Sequence, residues 1–226
     1  NEKDYIATQI AHKLNLMGPA LSIHTACSTS LVAIIQAVRS IQNGECDSAL
    51  CGGVHIDSRH KTGHLHQEGS IFSKDGSCRP YDRDASGTIF SDGVGVVVLK
   101  DYDLAIKEGN EIFGVIAGCG LNNDGGDKTS FTAPSVRGQS QTIEMALEEA
   151  GICADEISFI EGHGTATPVG DPIEVQALVQ ALNQYGNHEK TEIGLTSVKA
   201  QIGHTVAASG VAGVIKAVLC LKQNLI

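Results

Sequence analysis

Three short stretches of this 226-residue chain carry side chains that can make and break bonds at a carbonyl carbon. The first is Thr25-Ala26-Cys27-Ser28-Thr29-Ser30-Leu31. It leads into an amphipathic pattern in which Leu31, Ile34, Ile35, Val38 and Ile41 recur at helical spacing, with Gly44 closing the helix. A cysteine at such a helix start lies at the positive end of the helix dipole, beside unpaired backbone N–H groups. These conditions lower a thiol pKa from about 8.5 and stabilise the thiolate. A thiolate is an acyl-accepting nucleophile, and the small neighbours Ala26, Ser28 and Ser30 leave room for a substrate. The competing reading is a buried helix-start cysteine without chemistry.

The second stretch runs from Glu161-Gly162-His163-Gly164-Thr165-Ala166-Thr167 to Gly170-Asp171-Pro172-Ile173-Glu174, after an apolar run that reads as a strand. Glycines on both sides of His163 free the backbone to present an imidazole at the carboxyl end of a strand, where sites of open α/β sheets gather. Pro172 fits the first turn of a helix with Asp171 as its N-cap. Thr165 and Thr167 read either as turn residues or as hydroxyls for a polar substrate arm. The third stretch, Ser197-Val198-Lys199-Ala200-Gln201-Ile202-Gly203-His204, again runs from a strand into a loop. Lys199 and His204 lie five residues apart across a glycine, so one turn can aim both at a single pocket. Taken singly, each histidine is better explained by a turn or core position; three strand-end turns together point to a site.

The elements that must position these groups follow from periodicity. Helical spacing predicts helices over Asp4–Leu14, from Ser28 to Gly44, over Arg137–Ala150 and Asp171–Leu182, and from Val206 onward. Short apolar runs predict strands at Leu21–Thr25, Ser48–Val54, Val94–Leu99 (buried), Ile112–Cys119, Ile157–Ile160 and Leu195–Val198. The β-α-β succession favours a parallel sheet with crossover helices. Asp57–Gly87 is polar, rich in turn residues and predicted to be a long excursion of loops, and Asn122–Gly126 is a turn cluster. A charged turn near Lys107–Asn110 divides the chain into 1–107, with the cysteine, and 108–226, with the histidines and Lys199.

Composition narrows the function classes. The net charge is −10, only 19% of residues are charged, 4% are aromatic and 26 are glycine, as in an α/β protein with many tight turns. A net acidic chain has no general attraction for a phosphate backbone, so no nucleic-acid partner is expected. Seven cysteines without a C-x-x-C pair suit neither a disulfide framework nor a zinc ribbon. They are expected to be reduced, mostly buried, in a cytoplasmic protein. Val206–Leu221 includes Ser209, two glycines and Lys216, too polar and too short for an expected membrane span.

Gly93-Val94-Gly95 and Gly118-Cys119-Gly120 complete no nucleotide-binding fingerprint, and no G-x-S-x-G elbow is present. His55, His60, His64 and His66 lack regular ligand spacing, so no metal is expected. The N-terminal Asn1-Glu2-Lys3-Asp4 has no initiator Met or apolar leader, and Asn224-Leu225-Ile226 still follows an apolar helical pattern. Both ends predict an internal piece of a longer polypeptide.

These residues resemble the β-ketoacyl synthase (ketosynthase) domains of type I modular polyketide synthases. The resemblance is carried by Thr25–Leu31, Gly44-Glu45-Cys46-Asp47 with Gly52-Gly53-Val54, Cys78-Arg79-Pro80-Tyr81-Asp82, Asn122-Asn123-Asp124-Gly125, His163-Gly164-Thr165 through Glu174, and Lys199 through His204, in family order along nearly the whole chain. It implies a thiolase-like layered α/β/α/β/α fold made of two related halves, incomplete here at both ends, and a homodimer. Small departures are Gly162 where Ala is usual, Ala166 where Gly is usual, and Ala200-Gln201 where Ser-Asn is common.

The implied reaction is a decarboxylative Claisen condensation in polyketide chain elongation. By resemblance, Cys27 takes an acyl chain from an acyl carrier protein as a thioester. His163 and His204 stabilise the enolate formed when a malonyl-type thioester loses carbon dioxide. Lys199 organises the charges, with Asp171 and Glu174 both open as its partner, and Thr165 and Thr167 bind the phosphopantetheine arm. That arm belongs to the carrier protein, and no cofactor is bound by the domain itself. A fatty acid synthase condensing domain is the nearest alternative, disfavoured by Cys27-Ser28-Thr29-Ser30. A thiolase would need a second catalytic cysteine that Cys220 does not resemble, a chain-length-factor partner would lack Cys27, and a transfer-only domain often lacks His163. A structural role remains the other class.

Overall fold

The computed structural model describes residues 2–57, 63–126, 128–186 and 192–225. They form two compact units, one of residues 1–56, 92–113 and 205–215, the other of residues 57–91, 114–204 and 216–226.

The first unit is built on an antiparallel pair, β1 (Ser48–His55) and β2 (Gly93–Lys100), with Ser48 opposite Lys100 and His55 opposite Gly93. Among the described residues β1 therefore has an antiparallel partner where a parallel sheet is expected, and Leu21–Thr25 is irregular. One sheet face carries Ala49, Cys51 and Gly53 opposite Leu99, Val97 and Gly95. Against it pack α2 (Thr29–Gln42), through Ile34 and Ala37, and the start of α7 (Ser209–Gln223), through Val211 with Ala208 just before it. Burying a side chain such as Ile34 or Val211 contributes about 1.5–3 kcal/mol.

The Gly53–Gly95 pair makes the close approach possible. A Cβ at Gly53 would lie 2.4 Å from the Ala207 carbonyl oxygen, and one at Gly95 would lie 2.6 Å from Val211 Cγ1. The other face carries Leu50, Val54, Val94, Val96 and Val98, and it is open: Val94 is 75% exposed. The strand expected to be buried is thus covered on one face only among the described residues. A strand apolar on both faces is the pattern of a sheet sandwiched between layers.

The second unit holds the parallel pair β3 (Phe159–Glu161) and β4 (Gly194–Thr196), linked in sequence through α5 (Gly170–Tyr185). α4 (Val136–Ala150) lies along α5, with Leu147, Ala177 and Ala181 buried. Ser135 caps α4 by accepting the Gly138 N–H at 3.0 Å, and Gly151 ends it at φ 64°.

The strand expected at Ile112–Cys119 is irregular, because no ladder partner lies beside it among the described residues. Its glycines serve a close approach instead: a Cβ at Gly118 would lie 2.2 Å from the Ala146 carbonyl oxygen, and one at Gly120 1.9 Å from that of Thr142. Asp57–Gly87 is irregular where described, as expected. Two further helices, α1 (Ile6–Leu14) and α3 (Tyr102–Lys107), and the single turn α6 (Lys199–Ile202) complete the set.

None of the seven cysteines is in a disulfide, and only Cys51 is buried, which pushes its pKa up to about 11. The other six are half-buried, which corrects the expectation that most would be core residues. The C-terminal helical stretch begins at Val206, as expected, and ends at Gln223. Val206–Gln223, 18 residues of mean hydropathy 1.4, is long and apolar enough to cross a membrane by length and composition. Lys216 within it pairs with Glu161 at 2.7 Å and Val211 is fully buried, although only 17% of the stretch is buried among the described residues.

Ser30 joins α2 to α7: it is fully buried and its hydroxyl accepts the Val211 N–H at 3.0 Å. Val211 lies in the first turn of α7, where its N–H has no acceptor within the helix. Ser30→Ala is expected to destabilise the protein by about 1–3 kcal/mol, read by urea unfolding. A loss below about 0.5 kcal/mol would show that this bond is dispensable.

Candidate active site

Cys27 lies in a 3-10 turn, Ala26–Ser28, that runs directly into α2. The turn is sharp. Ala26 adopts φ 54°, a left-handed conformation that costs a non-glycine residue about 1–2 kcal/mol. Hydroxyls hold it in place. Thr29 Oγ1 accepts the Thr25 N–H at 3.0 Å and donates to the Ala26 carbonyl at 2.8 Å, while Ser28 Oγ donates to the Thr25 carbonyl at 2.8 Å. From α7, Ser209 Oγ donates to the Cys27 carbonyl at 3.0 Å. The run of small hydroxylated residues therefore builds the turn as well as leaving space beside the half-buried sulfur.

His163 follows β3 by two residues. Its backbone N–H and that of Gly164 donate to the two oxygens of Glu174, at 2.5 and 2.8 Å. Glu174 sits one turn into α5, so this carboxylate ties the loop to the helix after it. Glu161, the last residue of β3, holds the other side: its carboxylate accepts the Val198 N–H, the Thr196 hydroxyl at 2.7 Å and the Lys216 ammonium. The strand ends that precede His163 and Lys199 are thereby fastened together.

The third stretch closes the site. Lys199 begins α6 and is 4% exposed. Gly203 turns the chain at φ 73°, where a Cβ would lie 2.9 Å from the Ile89 carbonyl oxygen. His204 is then fixed by a bridge to residues 89–91: its N–H donates to the Ile89 carbonyl at 2.7 Å and its carbonyl accepts the Ser91 N–H at 3.1 Å. Its ring is 2% exposed and stacks on Phe90 with centroids 5.4 Å apart. The His163 ring meets it edge to face, with centroids 5.5 Å apart and planes at 88°.

Crowding by surrounding protein, reinforced by the Lys199 charge, pushes the His163 pKa down to about 4. His163 is exposed to solvent overall, so the crowding comes from the protein packed around it and not from full burial.

The structure thus brings His163, His204, Lys199 and Glu174 together within the second unit, and it places Cys27 in the first. Thr165 and Thr167 flank Ala166 with their hydroxyl oxygens 3.4 Å apart, and Thr167 Oγ1 accepts the Gly170 N–H. Ala166 is fully buried at φ 59°, a conformation that suits the glycine usual at this position. Asp171 is not the N-cap of α5. The helix begins at Gly170, and Asp171 lies in its first turn, where Oδ2 accepts the Tyr81 N–H at 2.7 Å. A partner 90 positions away claims the carboxylate that local pattern assigned to the cap, and burial raises its pKa.

Sequence reasoning gave no positioning role to Tyr81, Phe90, Glu161 and Lys216, although Glu161 opens the second stretch and Tyr81 lies in the Cys78–Asp82 motif; Phe90 and Lys216 had no local signal. His64 and His66 bond the Ser73 and Phe72 carbonyls, and His60 lies outside the described residues. Among the described residues no group of three or more His, Cys, Asp or Glu side chains is arranged to hold a metal ion.

The N-terminal domain model of the β-ketoacyl synthases matches residues 1–105, and the C-terminal domain model matches residues 113–226. The chain belongs to the β-ketoacyl synthase family. This ketosynthase chain is 45% identical over 224 residues to a phenolphthiocerol/phthiocerol polyketide synthase of Mycobacterium tuberculosis, covering 99% of the chain and 15% of that protein. It is 43% identical to polyketide synthase PksN of Bacillus subtilis, covering 97% of the chain and 4% of that protein.

Among solved structures, ketosynthase twelve of the bacillaene polyketide synthase of Bacillus amyloliquefaciens superimposes with a TM-score of 0.93 at 42% identity, over 97% of this chain and 39% of that one. The ketosynthase from module 1 of the bacillaene synthase of Bacillus amyloliquefaciens FZB42 gives 0.91 at 41% identity, over 97% of this chain and 39% of that one. The fold is therefore the thiolase-like α/β fold of ketosynthase domains, and the chain spans a minor part of the length of these relatives.

The titration of His163 is directly measurable. In the folded protein its ring should protonate with a midpoint near pH 4, followed by ring-proton chemical shifts. The unfolded chain protonates this residue at about 6.5, so it binds more protons than the folded chain between the two values. The His163 contribution therefore makes stability rise as pH increases from about 4 to about 6.5, and a folded-state midpoint at or above 6.5 would contradict the crowding described here.

Proposed function

We propose that this chain is part of a polyketide synthase ketosynthase that elongates an acyl chain by decarboxylative Claisen condensation. The observation that carries the reading is the His163–His204 pair, two rings 5.5 Å apart with His163 held in the neutral form above about pH 4. Neutral imidazoles donate N–H bonds to a developing oxyanion without a competing carboxylate of their own.

Cys27 is the acyl acceptor. Its thiolate attacks the thioester carbonyl of an acyl carrier protein, the carrier's thiol leaves, and the acyl group is held on sulfur. A malonyl-type thioester then binds on a carrier protein. Its terminal carbon–carbon bond breaks, carbon dioxide departs, and the bonding electron pair becomes an enolate whose oxygen accepts the His163 and His204 N–H groups. The enolate carbon attacks the Cys27 thioester, forming the new carbon–carbon bond and returning the Cys27 thiolate. Decarboxylation supplies the driving force, so no metal or nucleotide enters the reaction.

Lys199 organises the electrostatics, its positive charge opposing protonation of His163. Asp171 and Glu174 support the site through the backbone N–H groups that they accept. Thr165 and Thr167 bind the phosphopantetheine arm of the carrier protein. The enzyme is an acyltransferase of the β-ketoacyl–acyl carrier protein synthase type, working in the cytoplasm as a homodimer.

Each oxyanion donor is worth about 3 kcal/mol, roughly a hundredfold in rate. His163→Ala should therefore lower carbon dioxide release from malonyl carrier protein about a hundredfold while leaving alkylation of Cys27 by iodoacetamide at the parent rate. Unchanged carbon dioxide release in that variant would reject the role given to His163.

A further inference from the structure

Behind the His163 loop lies a hydroxyl that the proposed reaction does not use. Tyr81, at φ 61° in the polar excursion, points its phenol into the interior of the second unit, where Oη is buried beside the Glu174 carboxylate. A buried hydroxyl left without a partner is unfavourable, and the surroundings of this one are acidic. Burial and the carboxylates of Glu174, Asp171 and Glu161 raise its pKa far above the usual tyrosine range, so it remains a neutral O–H donor.

The hydroxyl occupies the space a side chain at residue 162 would need. A Cβ built on Gly162 would lie 1.9 Å from Tyr81 Oη and 3.0 Å from Cζ, with Glu174 Oε1 3.1 Å from the same point. Residue 162 therefore has to lack a side chain for Tyr81 to sit as it does. Of the three carboxylates, Glu161 is engaged by Val198, Thr196 and Lys216, and Asp171 Oδ2 takes the Tyr81 N–H while its Oδ1 is buried; the side chain that meets the Tyr81 hydroxyl is that of Glu174. Glu174 Oε1 accepts the His163 N–H and retains a second lone pair.

We propose that Gly162 and Tyr81 are a matched pair: the missing side chain at 162 admits the Tyr81 hydroxyl, which donates to Glu174 Oε1 and so positions the carboxylate that holds His163. Tyr81 is a positioning residue acting through Glu174. Its effect on the chemistry rests on the function proposed above, but its structural coupling does not.

The test is a double-mutant cycle in the intact protein with Gly162→Ala, Tyr81→Phe and the pair together. Gly162→Ala alone should lower the urea-unfolding midpoint, and adding Tyr81→Phe should restore at least half of the loss by vacating the space. If Gly162→Ala alone does not fold, folding of the double variant carries the same meaning; additive losses, or a double variant that also fails to fold, would overturn the pairing.

Tyr81→Phe alone should speed hydrogen exchange at the His163 and Gly164 amides about tenfold through loss of one charge-assisted bond, while amides in α4 keep their parent rates. Unchanged exchange at these two amides would overturn the positioning role. Carbon dioxide release from malonyl carrier protein, expressed per alkylatable Cys27, should fall about tenfold in Tyr81→Phe with KM unchanged. Absence of that activity in the parent protein would reject the proposed function, whereas the unfolding cycle and the exchange rates would still decide the Gly162–Tyr81 coupling.

Discussion

The carboxylate of Glu174 accepts two consecutive backbone N–H groups, those of His163 and Gly164, and the arrangement of the second unit around the histidines depends on that clamp. A loop flanked by glycines has many conformations open to it, so an imidazole on such a loop needs a restraint that acts on the backbone. Charge-assisted bonds to both oxygens supply one, and they come from α5, the helix that the same loop enters. Glu161 performs the complementary task at the strand ends, accepting from β4, from the residue before Lys199 and from α7. Three elements that converge only in the folded chain are held through two carboxylates, Glu161 largely shielded from competing water and Glu174 half-buried.

Close packing sets the second constraint. Gly53 and Gly95 face each other across β1 and β2, where a methyl on either would strike the chain entering or beginning α7. Gly118 and Gly120 allow an extended segment to lie against α4 in the same way. These four glycines are needed for proximity rather than for unusual dihedrals. The apolar outer face of β1 and β2 is the reverse case: its valines satisfy the pattern of a two-sided buried strand, but no described element covers them.

The electrostatics of the site follow from what surrounds each group rather than from its type. His163 lies close to a cation and in a crowded setting, and both effects favour the neutral ring. Cys51, equally a thiol by sequence, is driven by burial toward inertness. The acidic groups are placed where they restrain backbone, and the cation paired with Glu161, Lys216, also fastens a helix whose composition alone would allow a membrane-spanning reading.

The sequence by itself determined α1, α2, α4, α5 and α7, the β1 and β2 segments, the three candidate turns and the family, because hydrophobic periodicity, turn residues and motif spacing act over a few positions. The position of Cys27 at the entry to α2 and of the histidines after glycines was legible in this way. Strand pairing was not: β1 and β2 are antiparallel, and Ile112–Cys119 stays irregular, because a ladder depends on which neighbour is present and local propensity cannot supply one. Only the tertiary structure decided that Asp171 serves Tyr81 instead of a helix cap, that Phe90 backs His204, and that the space at Gly162 is filled by a hydroxyl from residue 81. Such contacts join positions tens of residues apart, and their energies exist only once packing has brought the groups together and excluded water.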